Sequence, residues 1–359
     1  MNTTELGNQL FQVLNAMPEK SGYEKKTRAF IISILKRLKH IYVLYSGHYG
    51  IIATFNKKHA YDVAIRAELD AVELPDGIVQ HSCGHSGHTA ALLATIIYIN
   101  KHIENSKFSD CLFVFQAAEE VGNGAQMLAK IINSRKIKVR EFYTVHNAPE
   151  IFCNQLAVRS GAVLSNNLTS KFTVYLDSKG HFGNTQSIFY GFEPIMQYLK
   201  TCKRENKWMN YEIGLFTSNG TLSSSANRIS FTLSIRSKMQ DLVTIKKVTK
   251  SFYVWLQKQT FVKHVDYKKI NSHKQVINSR KLVNRIEQVP GLEIIKAPPT
   301  WSSDDFFEYR SISQRQLYFF IGSFISREEM YLHSETFKLN PNFIKAAIRT
   351  WIYLLREQK

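Results

Sequence analysis

Apolar positions along the first third of the chain recur at two spacings. Over residues 3–39 they follow a helical period in two stretches, one opening at Thr3/Thr4 with Glu5 in its first turn, the other over "EKKTRAFIISILKRLKH". Two amphipathic helices are predicted there. The runs "IYVLYS", "GIIATFN" and "DVAIRAEL" are strand-like, the first two separated by a turn that Gly47 and Gly50 punctuate. A histidine-rich loop follows, then "TAALLATIIYINKHI", apolar at helical length, and "CLFVFQAA", a short and nearly continuous apolar strand. "GAQMLAKIINS" suits a helix and "EFYTVHNA" a strand. This alternation predicts an open α/β sheet buried on both faces. In such sheets reactive groups gather outside the carboxyl ends of the strands.

From about Leu164 the rhythm changes. "NLTSKFTVYLDS" reads as a strand, "SIFYGFEPIMQYLKTC" as a helix, "MNYEIGLFTSN" and "NRISFTLSIRS" as strands, "DLVTIKKVTKSFYVWLQKQ" as a helix and "FVKHVDYKKI" as a strand. That β-α-β-β-α-β order is a ferredoxin-like α+β sandwich with both helices on one face of an antiparallel sheet. From about Val276 the chain returns to helix ("SRKLVNRIEQV"), a strand near "LYFFIGS" and a closing helix "NPNFIKAAIRTWIYLLREQ". The predicted organisation is one α/β domain with a mixed open sheet, formed by residues 1–163 and 276–359, with a second domain of residues 164–275 inserted in it.

Composition narrows the partners. With 359 residues, 44% apolar and 12% aromatic, the chain has ample material for one large core or two ordinary domains. The net charge of +18 comes from 47 basic and 29 acidic residues, but the basic residues lie in small groups ("KRLKH", "KIKVR", "IKKVTK") mixed with apolar ones. A solvated basic surface is expected, with no nucleic acid as partner, since no zinc-finger spacing, phosphate-binding loop or RNA-binding aromatic signature accompanies the charge. No run is apolar and long enough for a membrane span, and "MNTTELGNQLFQVLNAM" lacks the pattern of a signal peptide. A soluble cytoplasmic protein with no membrane partner is expected. Cys83, Cys111, Cys153 and Cys202 are far apart, which predicts reduced thiols rather than a disulfide framework.

The chemistry-bearing residues stand at predicted strand exits. In "HSCGHSGH", Cys83 and His85 flank Gly84, so a thiolate and an imidazole can turn toward a common centre that suits zinc or a similar divalent ion. A histidine-rich loop capping a helix over a buried Cys83 is an equal reading of those eight residues. In "FQAAEEVGNGA", Glu119 and Glu120 leave a strand in divergent directions. Either a metal binds one and leaves the other to move protons, or the two form an exposed acidic pair at a turn. His146 in "VHNAPE" and His333 in "YLHSETF" are each, singly, as compatible with a surface histidine as with a ligand. Together a cysteine, three histidines and a glutamate make five ligands at strand exits, enough for two metal ions.

The segments "AIRAELDAVELP", "HSCGHSGHTA", "VFQAAEEVGNGAQML", "VHNAPE", "SSDDFF" and "LHSETF", in this order over residues 64–337, resemble the successive motifs of the dinuclear metal amidohydrolases. That group includes hippurate hydrolase, N-acetyldiaminopimelate deacetylase and the indoleacetyl-amino acid hydrolases, within the aminoacylase and carboxypeptidase superfamily. The resemblance implies a zinc-peptidase-like catalytic domain and an inserted lid or dimerisation domain. It implies two divalent ions per subunit, zinc first with manganese or cobalt as alternatives, held by Cys83, His85, Glu120, His146 and His333. Glu119 would be the general base and Asp70 the acid that orients the site. His181, in "SKGHFGN", matches a lid histidine that helps stabilise an oxyanion in a neighbouring subunit's site, and Asn227 and Arg236 match residues holding the substrate carboxylate. The implied reaction is hydrolysis of the amide bond of an N-acyl amino acid by a homodimer. A carboxypeptidase or dipeptidase with the same centre, or a non-catalytic metal-binding or small-molecule-binding descendant, are the alternatives. The chain departs from the family at Ser86 and Glu68, where the family has aspartate, and in its lid motif "KGHFGNTQ".

Overall fold

Asn2, rather than Thr3 or Thr4, caps the first helix: its side chain accepts from the Glu5 N–H while the Glu5 carboxylate accepts from the Asn2 N–H. The computed structural model describes residues 2–176, 188–221, 226–238 and 241–356. These fall into two compact units, Met1–Val163 with Val276–Pro298 and Asp304–Lys359, and Leu164–Gln275 with Pro299–Ser303. In chain order the main elements are α1 (Thr3–Asn15), α2 (Lys25–Leu35), β1 (Tyr42–Gly47), β2 (Gly50–Thr54), β3 (Ala60–Glu68), α3 (His85–His102), β4 (Cys111–Gln116), α4 (Gly124–Ser134), β5 (Lys138–Ala148) and β6 (Gln155–Val158). The second unit supplies β7 (Asn166–Leu176), α5 (Ile188–Glu205), β8 (Met209–Ser218), β9 (Arg228–Ser237), α6 (Leu242–Gln257) and β10 (Val262–His273). The chain closes with α7 (Arg280–Ile286), β11 (Glu293–Lys296), β12 (Ser313–Gly322) and α8 (Asn342–Leu355).

The first unit is built on an eight-stranded mixed sheet of order β1-β2-β4-β3-β5-β12-β6-β11. Its centre, β4, β3, β5 and β12, is parallel, and β1 and β2 extend it antiparallel at one side. All six residues of β4 are buried, as a strand covered on both faces requires. Helices α1, α3 and α8 pack on one another, their apolar faces joining a core that includes Leu10, Leu92, Ile96, Phe113, Phe115, Phe343 and Trp351. Helix α3 starts at His85, four residues before the predicted apolar stretch, so the second half of the histidine motif is its first turn.

The second unit has four antiparallel strands in the order β8-β9-β7-β10. Burial alternates strictly along β9, and its inward residues Ile229, Phe231, Leu233 and Ile235 share one core with Ile195 and Leu199 of α5 and Ile245, Phe252 and Leu256 of α6. A sheet with one covered face gives this period of two. No helix among the described residues is long and apolar enough to cross a membrane.

Candidate metal centre

The parallel strands of the first unit end side by side, and their exits carry the candidate residues. Asp70 lies two residues beyond β3, Glu119 and Glu120 just beyond β4, and His146 two residues before the end of β5. Cys83 and His85 sit at the start of α3, and His333 lies in the connection from β12 to α8. Gly84, the residue before α3, has φ of +86°, and a Cβ there would lie 2.3 Å from Asn147 Nδ2. Glycine is the residue that takes this conformation and leaves this space. His333 also has a positive φ, 61°, and its N–H donates to the Ser82 carbonyl at 2.9 Å, which ties the far loop to the histidine motif.

Five candidate ligands converge. The Cys83, His85 and His146 ligand atoms lie within 4.8 Å of one another, as do those of Cys83, Glu120 and His333. The two sets share Cys83. Cys83 Sγ is 3.4 Å from His146 Nε2, His333 Nε2 is 3.3 Å from Glu120 Oε1, and His85 Nε2 is 3.9 Å from the same oxygen. Each imidazole at the back is set by its other nitrogen. His85 Nδ1 lies 3.0 Å from the Asp70 carbonyl and 3.1 Å from Asp70 Oδ1, and His146 Nδ1 lies 2.8 Å from the Asn147 carbonyl. Those acceptors place the ring proton on Nδ1 and turn the Nε2 lone pair into the pocket, the arrangement usual for metal-binding histidines. Asp70 in turn accepts from Ser21 Oγ at 2.7 Å and from the Glu120 N–H at 2.9 Å.

These residues fit a metal. Among the described residues, His85 Nε2 is buried without a hydrogen-bond partner, a costly condition that a bound cation relieves. The charges lean the same way. Burial pushes the His85 imidazolium down, but Asp70, Glu68 and Glu120 outweigh it and raise it to about 9, so the bare pocket draws positive charge onto that ring. Burial raises the Glu120 carboxyl, yet His333, His85 and Cys83 bring it down to about 2. Burial, then His88 and His85, lower His146 to about 3, so it presents a neutral ring. Burial and the Glu120 and Glu119 carboxylates push the Cys83 thiol up; a divalent cation reverses that balance and deprotonates it.

Glu119 stands apart from the shared Cys83. Its carboxylate groups with Asp70 and His85 on one side and with Asp304 and Asp305 on the other. Burial and the Asp304, Glu120, Asp305 and Asp70 charges raise its proton affinity. Ser86, at the family's aspartate position, is buried and donates to Asn15 Oδ1 at 3.0 Å. Asn227 and Arg236 belong to the second unit and are not brought together. Nine steps along the chain, nearly all within β9, separate them, roughly 30 Å at about 3.3 Å per residue. Asn227 exchanges hydrogen bonds with Asn219, while Arg236 donates to the Trp301 carbonyl at 2.9 Å and is pushed below the usual arginine range by burial. His181 lies outside the described residues.

Several residues at the centre carry no sequence signal of their own. Arg66 is fully buried and reaches Gln116, Glu68, Asp304 and Asp305. Glu24, also buried, accepts the Ala118 N–H at 2.8 Å, pinning the residue before the Glu119–Glu120 pair in its positive φ of 59°. An arginine inside an apolar strand was the one available hint, since it demands buried carboxylates.

Known proteins bear on this geometry. Over 214 residues the chain is 29% identical to an N-acetyl-L-cysteine deacetylase of Bacillus subtilis (strain 168), covering 55% of this chain and 49% of that protein. Over 175 residues it is 27% identical to an N-acetyldiaminopimelate deacetylase of Lactobacillus acidophilus, 44% of each. The matched segment thus spans about half the length of these curated relatives. The fold is similar to that of a Bacillus subtilis protein described as a dinuclear metal binding peptidase from the M20 family, with a TM-score of 0.75, 18% identity, and 98% of this chain and 97% of that one covered. The family model described as Peptidase family M20/M25/M40 matches residues 64–357, the span that carries every candidate ligand, and the chain belongs to that family.

Proposed function

We propose that this protein hydrolyses the amide bond of an N-acyl amino acid or a related small amide, with two divalent metal ions held by Cys83, His85, Glu120, His146 and His333. The observation that carries the reading is the pair of three-donor sets that meet at Cys83, with His85 Nε2 lacking a hydrogen-bond partner among the described residues. The deacetylase names of the two curated relatives support the substrate class. The Cys83 thiolate favours zinc over manganese or cobalt.

The ions would polarise the amide carbonyl and lower the pKa of a water. The chain's own residues do the rest. Asp70 holds His85 with Nε2 facing the pocket, and it fixes the Glu120 backbone through the same carboxylate. Glu119, whose carboxylate lies among those of Asp70, Asp304 and Asp305, takes a proton from the attacking water and returns it to the departing amine. In the second unit Arg236 offers a guanidinium for the substrate carboxylate and His181 a donor for the oxyanion. The reading includes a homodimer.

Metal analysis of the purified protein, followed by amine release over a panel of N-acyl amino acids and dipeptides, tests this. Bound divalent metal and turnover of N-acyl amino acids are expected. Turnover confined to dipeptides would replace the proposal with a dipeptidase. A folded protein that carries no metal and gains nothing from any divalent ion would end it.

A further inference from the structure

The histidine motif contains a third buried ring, His88, beside the centre. Its type and place make it a candidate ligand, and its ligand atoms group with those of Glu68 and His85. Both of its nitrogens are occupied. Nδ1 lies 2.9 Å from Glu68 Oε2, and Nε2 accepts the Asn147 backbone N–H at 3.1 Å. This fixes the Nδ1–H form and spends the Nε2 lone pair on Asn147.

Asn147 is 1% exposed, and four of its groups are engaged. Its N–H goes to His88, and its carbonyl accepts from His146 Nδ1 at 2.8 Å. Its side-chain Nδ2 donates to the Cys83 carbonyl at 2.6 Å, and its Oδ1 accepts from Ser323 Oγ at 3.2 Å. Room for the Cys83 contact exists because residue 84 is glycine. One residue therefore grips both the strand end that carries His146 and the loop that carries Cys83, which come from β5 and from the start of α3. Behind it, His88 and Glu68 anchor the grip to the Arg66 cluster.

We infer that Asn147 is a positioning residue that holds the Cys83 and His146 donors at their shared spacing, with His88 as its buttress rather than as a metal ligand. This rests on the metal-centre reading above. A side chain that orients ligands in this way typically contributes 10–100-fold to metal affinity.

The test uses the full chain with Asn147→Asp, Asn147→Ala and Ser323→Ala. Cobalt(II) is titrated into metal-free protein, followed by the thiolate-to-cobalt absorption band, and iodoacetamide labelling of Cys83 is timed in the metal-free protein against buried Cys111. Asn147→Asp keeps the shape but cannot donate to the Cys83 carbonyl. It is expected to weaken cobalt binding by about 10–100-fold, although its added negative charge alone would favour a cation, and to speed Cys83 labelling several-fold. Asn147→Ala should do the same, and Ser323→Ala less. Far-ultraviolet circular dichroism identifies variants that keep their fold. Unchanged cobalt affinity and unchanged Cys83 labelling in folded Asn147→Asp would overturn the inference. Should the unaltered protein bind no cobalt, the metal-centre reading fails by itself, and labelling alone decides the clamp: faster supports it, unchanged refutes it.

Discussion

Two clusters of buried ionisable side chains lie in the first unit, and they differ in how completely they are satisfied. Around Arg66, all three guanidinium nitrogens have acceptors: Gln116 at 3.0 Å, Glu68, Asp304 at 2.8 and 3.1 Å, and Asp305 at 3.2 Å. The acids are matched in turn, Asp305 also accepting from Gln116 at 2.8 Å and the Ala125 N–H at 2.9 Å. Around Cys83 the donor set is open: among the described residues His85 Nε2 has no hydrogen-bond partner, and Glu120 Oε1 faces the half-exposed His333 ring at 3.3 Å. A closed network needs no further ion and sets geometry. An open one, at the ends of parallel strands, presents donor atoms that a cation would engage. Both clusters are ionisable and lie at the same sheet; what separates them is how far their polar atoms are satisfied.

Substitutions can sharpen that contrast. The largest effect is expected at Glu119, which touches both clusters. Glu119→Gln should retain bound metal while turnover falls by about 10²–10⁴-fold, the usual size of a lost proton-transfer group, measured by amine release beside metal analysis; a variant with full turnover would remove Glu119 as the base. Next is Arg66→Ala in the closed cluster. It leaves Glu68, Asp304 and Asp305 buried without their cation, and about 3–5 kcal/mol of stability should be lost, read from urea unfolding of metal-free protein. The smallest stability effect is expected in the open cluster, at His333, whose side chain is 48% exposed. His333→Ala should cost metal-free stability clearly less than Arg66→Ala while lowering the bound metal. A large loss of stability there would erase the distinction between the clusters.

Much of the fold was legible. The β-α-β-β-α-β unit could be read because alternation along β9 and helical spacing along α6 are local patterns that a one-sided sheet imposes. The placement of Asp70, Glu119, Glu120 and His146 at strand exits followed from where apolar runs stop. Other features were not legible because they depend on partners distant in the chain. Helix α3 begins at His85 because Gly84 turns there against Asn147, a residue 63 positions away. The insertion of β4 between β2 and β3 is a pairing choice that no local period encodes.

The sequence by itself determined which chemistry is available: a thiol, imidazoles and paired carboxylates at the ends of apolar strands, in the order of one family. Tertiary structure decided how each is used. His85 and His88 stand three residues apart in one helical turn, yet among the described residues one has a nitrogen without a hydrogen-bond partner and the other has both nitrogens bonded. The difference lies in Glu68 and Asn147, which reach His88 from two other strands. A side chain's type sets what it can bind, and only the groups folded around it set what remains unbonded.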